Sequence, residues 1–263
     1  MTHINPLPAS EVNFRARRAA LRSVRSRFEA KPAKVAGVLT LLAAGLFMAF
    51  PGLDLAVSHG FATGNGGFPL SREPLLIALR DWNRALPFLI LPGVMALLLL
   101  QPIAPQRWLL RPHKAIFFLA FYALGPGVLI QSLKGLVGRA RPHEILEFGG
   151  SLPFTPGWQV SSACARNCSF ASGEASSAIA LLALALLLPS RWQKTAIVAL
   201  IPVVLAFSIN RIAFGAHFLS DVVMAWMLLL WLMAWLWPLF SRNGERIDRR
   251  FWQGVGYHPV RRR

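Results

Sequence analysis

Acid and cysteine are the scarce residues of this chain. Eleven Asp and Glu stand against 28 Lys and Arg in 263 residues, giving a formal net charge of +17, and there are two cysteines. No third and fourth ligand lies at a suitable spacing from those thiols, which argues against a metal cage built on them. Charge as a whole is thin, 15% of residues against 55% hydrophobic, with a mean hydropathy of +0.48. That balance excludes an ordinary soluble domain. A cleaved signal is not expected either, because more than thirty polar and basic residues precede the first apolar run and no small-residue cleavage site comes after it.

What the chain has instead is long apolar runs, nine Trp and eighteen Phe. Runs 35–53, 85–103, 115–133 and 222–240 are each near the roughly 20 residues that cross about 30 Å of hydrocarbon as a helix. Two shorter runs, 175–188 and 195–209, flank the compact polar stretch Pro189-Ser190-Arg191-Trp192-Gln193-Lys194. They read as a helical hairpin whose far ends start in the headgroup region; a re-entrant loop or a buried soluble-type hairpin is the alternative. Charge favours the hairpin. With six spans, one face collects twenty basic and four acidic residues and the other eight basic and seven acidic. The positive-inside rule then places both tails, 1–34 and 241–263, in the cytoplasm, whereas an odd number of spans would put one Arg-rich tail outside. The expected fold is an all-α integral membrane bundle of six transmembrane helices over 35–240. The basic excess is mostly a topology signal. Attraction to anionic headgroups accounts for Arg15 to Arg25, and no recognition motif accompanies them to suggest nucleic-acid binding.

Three strings lie at the same end of their apolar runs. In the first, Lys134-x6-Arg141-Pro142, a spacing of seven returns to nearly the same helix face, so both cations are expected to point into one pocket; snorkelling at a membrane boundary is the plainer reading. The second, Ser172-Gly173-Glu174, opens a helix, where first-turn N–H groups and the dipole make an anion site, or where Ser172 simply caps. In the third, Arg211-x5-His217-x3-Asp221, ionisable groups sit among apolar ones at a membrane edge, which marks a functional candidate. The i, i+4 spacing is expected to let Asp221 accept from one ring nitrogen of His217 and leave the other as a lone pair; a structural His–Asp pair is the alternative. Cys164 and Cys168 lie in the loop before the second string, either as a local disulfide that shapes it or as two unrelated thiols.

Together the strings resemble the signature of the type-2 phosphatidic acid phosphatase superfamily: K-x6-R-P, then P-S-G-H, then S-R-x5-H-x3-D. The first matches fully. Asn210 replaces the serine of the third, and in the second Ala171 replaces proline and Glu174 replaces histidine. The resemblance covers 134–221 and implies phosphate transfer without a metal or cofactor. It implies His217 as the nucleophile that forms a phosphohistidine, supported by Asp221, with Lys134, Arg141, Arg211, Ser172 and Gly173 binding phosphate. Glu174 then occupies the position of the residue that protonates the leaving oxygen. It is an acid tuned by desolvation, a group that positions Arg or water, or the mark of a binding-only relative.

The wording around Glu147-Phe148-Gly149-Gly150 and Asn167-Cys168-Ser169 is similar to bacterial lipid A phosphatases of the 4′ type. That likeness implies a phosphorylated lipid substrate, lipid A first, and the charge asymmetry puts its handling at the periplasmic face of the inner membrane. A 1-phosphatase of lipid A, an undecaprenyl pyrophosphate or phosphatidylglycerol phosphate phosphatase, and a non-catalytic lipid-binding or transport relative are the other readings.

Overall fold

The computed structural model describes residues 32–64, 66–101 and 110–255. The N-terminal basic tail lies outside them except for 32–34, as does the C-terminal tail beyond 255. A bilayer offers backbone N–H and C=O groups no partners, so each apolar run satisfies its own by coiling. The helices are α1 (Pro32–Ala49), α2 (Gly52–His59), α3 (Pro74–Leu100), α4 (Pro112–Tyr122), α5 (Ile130–Val137), α6 (Gly173–Ala180), α7 (Leu184–Leu187), α8 (Ser190–Ala213), α9 (Leu219–Arg242) and α10 (Gly244–Gly254). No strand occurs among the described residues, only an isolated bridge between Ile145 and Leu152.

The protein is an all-α membrane bundle. Among the described residues five rods are long and apolar enough to cross a membrane: α1, α3, the span Pro112–Glu144 that contains α4 and α5, α8 and α9; a further apolar rod, Gly173–Leu187, is shorter. It joins α6 to α7 through the 3-10 turn Leu181–Ala183. Ala175, Ala178, Ala180, Ala183 and Ala185 along it are almost fully buried, and α6 packs on both α8 and α9. Small residues let three backbones approach closely, so this rod lies among protein neighbours and is not held to the lipid thickness. Only one arm of the expected hairpin is therefore short. The other, α8, runs the full Ser190–Ala213 because the polar residues read as a turn form its first turns.

Two further boundaries differ from expectation. The first run stops at Ala49, and Pro51 opens the separate helix α2, which buries Asp54 completely. The second starts well before 85, at Pro74, because its first turns carry Arg80, Asp81, Asn83 and Arg84, which hydropathy alone discounts. Between α4 and α5, Ala123–Leu129 is π-helical around Gly125-Pro126-Gly127, as expected where proline removes a backbone donor.

These elements gather the three strings at one end. A tight turn joins α8 to α9, with Gly215 at φ +62°; a Cβ there would run into the Phe68 ring. Arg211 lies in the last turn of α8 and His217 sits in the turn that follows, so their spacing is rigid. At the opposite end, Asp248 of α10 accepts from the His113 backbone N–H at 2.7 Å, and Lys114 donates to the Leu188 carbonyl at 2.7 Å.

Candidate active site

His217 is fully buried. Its Nδ1 lies 2.8 Å from the Ser169 carbonyl oxygen. A carbonyl only accepts, so Nδ1 carries the proton and Nε2 is the nitrogen turned to the site. Asp221 does not make that contact: its Oδ2 is 3.8 Å from Nδ1. The reason is that Asp221 is already engaged. It accepts from the Phe218 backbone N–H at 2.8 Å, from the Ser169 hydroxyl and from Arg139 Nη1 at 2.7 Å, at the N-terminus of α9, where the dipole favours an anion. Asp221 thus holds the segment that carries the carbonyl facing His217.

Glu174 divides its carboxylate. Oε2 lies 3.2 Å from His217 Nε2, while Oε1 accepts from Arg84 Nη2 at 2.8 Å and Nε at 3.3 Å. Arg211 Nη2 is 3.7 Å from the same Oε1, and Arg211 Nε, although buried, has no hydrogen-bond partner. Burial of an unpaired guanidinium N–H costs free energy unless an oxygen ligand arrives to meet it. His217, Glu174 and Arg211 are therefore in one place.

Lys134 and Arg141 also converge, but not along one helix. α5 ends at Val137, Gly138 turns left-handed at φ +61°, and Arg141 stands on extended backbone. Both cations reach Asn167: Lys134 Nζ donates to its Oδ1 at 3.2 Å and Arg141 Nη2 to its carbonyl at 2.8 Å. Lys134 also lies beside Gly173, where a Cβ would be 3.5 Å from Nζ. Ser172 is the N-cap of α6, accepting from the Ala175 N–H at 3.2 Å, and its own N–H donates to the Asp221 carbonyl at 3.0 Å, which ties the second string to the third. Cys164 and Cys168 are joined as a disulfide beside Asn167.

Sequence reasoning missed a second layer. Arg139 is fully buried and every donor group is used: Nε on the Thr155 carbonyl at 2.7 Å, Nη1 on Ser220 and Asp221, Nη2 on Asp54 at 2.8 Å. Its plane lies over the Phe218 ring, 4.0 Å from the centroid. Asp54 also accepts from the Ser220 N–H and hydroxyl; burial pushes its carboxyl up from the ordinary value while Arg139 draws it down. Arg84 and Asn83 of α3 were missed as well, although their position just before an apolar run was a legible signal. Among the described residues no group of three or more His, Cys, Asp or Glu is placed to hold a metal ion.

The site opens into a cavity of about 760 Å³ that runs from Lys134, Asn167 and Glu174 to Phe88, Leu91 and Tyr122, past the π-helical segment. One end is charged and the rest largely apolar, which suits a phosphorylated amphiphile.

Residues 115–245 match the model of the PAP2 superfamily. A lipid A 4′-phosphatase of Rhizobium etli is 35% identical over 202 residues, covering 69% of this chain and 77% of the relative. Another, from Francisella tularensis subsp. novicida, is 32% identical over 190 residues, covering 67% and 81%. Among solved structures, the transmembrane PAP2 type phosphatidylglycerolphosphate phosphatase of Bacillus subtilis superposes with a TM-score of 0.54 at 18% identity, over 80% of this chain and 96% of that one.

Proposed function

The chain belongs to the PAP2 superfamily as a membrane lipid phosphatase, a phosphoric monoester hydrolase, and from that premise we propose that it removes the 4′-phosphate of lipid A through a phosphohistidine on His217. The observation that carries the chemistry is the orientation of His217, with Nδ1 tied to the Ser169 carbonyl and Nε2 directed at Glu174 beside Arg211. The choice of lipid A is supported by the names of the relatives at 32–35% identity and by the largely apolar cavity that leads to the charged residues.

The resting contact between Nε2 and Oε2 also supports Glu174 as the acid at the position where the family signature has histidine. Two bare lone pairs at 3.2 Å would repel, so one proton lies between them. When the phosphoryl group takes the place of the Glu174 carboxyl, the shared proton departs on Glu174 and frees the Nε2 lone pair; Nε2 then attacks phosphorus in line, the ester P–O bond breaks, and Glu174 passes that proton to the leaving oxygen. Lys134, Arg141 and Arg211 hold the phosphoryl oxygens, and the orphaned Arg211 Nε gains its partner. Water then attacks the phosphohistidine and returns a proton to the Glu174 carboxylate, the N–P bond breaks, and inorganic phosphate leaves. The proposal takes the periplasmic face as the place of this chemistry, a reading supported by the charge asymmetry of the sequence, which favours six traversals with both basic tails cytoplasmic.

Mass spectrometry of lipids from cells with and without the protein, and with His217→Gln, tests the reading. Loss of one phosphate from lipid A, located at the 4′ position by fragmentation and dependent on His217, is expected. Dephosphorylated undecaprenyl lipid or phosphatidylglycerol in its place overturns the substrate, and unchanged turnover in His217→Gln overturns the mechanism.

A further inference from the structure

Glu174 sits where two demands conflict. It has to be against His217 Nε2 to hold the shared proton, and it has to vacate that position for phosphorus without leaving the pocket. What the carboxyl pivots on is therefore part of the mechanism, and none of the three strings supplies it. Arg211 Nη2, at 3.7 Å, is beyond hydrogen-bond reach of Glu174. The groups that do grip Glu174 come from α3. Arg84 sends two donors to the single oxygen Oε1, leaving Oε2 to His217, and the neighbouring buried Asn83 donates to the Glu174 backbone carbonyl at 3.1 Å. Two consecutive residues thus hold both the side chain and the main chain of the same glutamate. Arg84 lines the cavity with half of its side chain exposed, whereas Glu174 is nearly buried; a long, half-solvated side chain can follow a moving carboxyl that a packed one could not.

We propose that Arg84 is a positioning residue for the acid: it retains Glu174 Oε1 while Oε2 swings from His217 Nε2 to the leaving-group oxygen. This rests on the reading of Glu174 as proton donor. It makes α3 a working part of the site, and it separates Arg84 from the phosphate-binding cations, because its effect passes through Glu174 alone.

A double-mutant cycle on purified protein, with phosphate release from lipid A measured at steady state, tests it. Arg84→Ala is expected to lower kcat about tenfold, a fraction of what general acid catalysis contributes, and to leave KM within about twofold of wild type, as a residue not bound to substrate should. Arg84→Lys, which keeps a donor of the same charge, recovers most of the loss. In a Glu174→Gln background, where no proton is available to position, Arg84→Ala costs less than about twofold more. Equal losses in both backgrounds, or a loss confined to KM, make Arg84 a direct phosphate ligand and overturn the inference while leaving Glu174 as the acid. Full activity of Glu174→Gln instead removes Glu174 as the donor, and the positioning role falls with it. Gel filtration of each variant in the same detergent separates loss of fold from loss of function.

Discussion

Arg139 Nη1 meets Asp221 Oδ1 at 2.7 Å with neither side chain exposed, and Nη2 of the same guanidinium meets Asp54 at 2.8 Å. One buried cation therefore joins α2, the loop after α5 and the start of α9, next to the segment whose carbonyl faces His217. Replacing Arg139 with Met leaves two buried carboxylates facing each other without a counter-charge. The expected cost is about 3–5 kcal/mol, the range for removing one partner of a buried pair. Thermal unfolding in detergent is the measurement; a shift no larger than that of an exposed Arg variant such as Arg191→Met would contradict it.

Asp221 and His217 are expected to separate in the same assay. Asp221→Asn removes one of the two carboxylates on Arg139 and weakens the acceptor for the Phe218 N–H, so unfolding temperature and turnover fall together. His217→Gln retains most of the volume and loses turnover with a much smaller change in stability. If Asp221→Asn lost activity at wild-type stability, the carboxylate would be acting on the imidazole directly, in spite of the 3.8 Å separation.

Arg211→Lys keeps the charge but replaces a planar fork with a single point of donation, and it deletes the unpartnered Nε. A fall in kcat of about 100-fold is expected, the scale of losing one preorganised transition-state donor. Steady-state kinetics on monodisperse protein checks it, and a loss in KM alone would assign Arg211 to ground-state binding.

Gly138→Ala is expected to cost at least about 2 kcal/mol, from the left-handed backbone and from overpacking. At φ +61° the new Cβ would run into the Ser161 carbonyl oxygen. The residue sets the bend between Lys134 and Arg141, so phosphate release should drop as well. Yield and unfolding temperature compared with Gly135→Ala, where nothing lies within 4 Å, isolate the effect.

Much of the molecule was legible before folding. The long apolar runs gave membrane helices because hydrocarbon admits no other open-ended backbone, and the three strings named His217, Glu174 and Arg211, which meet. Boundaries were less legible wherever a helix carried polar residues for a purpose, as at Arg80 to Arg84 or Ser190 to Lys194, since hydropathy discounts them. The seven-residue spacing of Lys134 and Arg141 suggested one helix face, yet Gly138 breaks the helix and Asn167 restores the convergence by hydrogen bonding.

Sequence by itself determined the solvent of this protein and the residue types on which the proposed chemistry draws: composition fixes burial in a bilayer, and the three strings carry the imidazole, the carboxyls and the cations that the proposal uses. Tertiary structure alone decided which partner each group has. Asp221 is four residues from His217 but spends its oxygens on Ser169, Phe218 and Arg139, while Arg84, ninety residues from Glu174, holds its carboxylate. Spacing along a chain limits which groups can meet; competition among all the donors within about 3 Å settles which do.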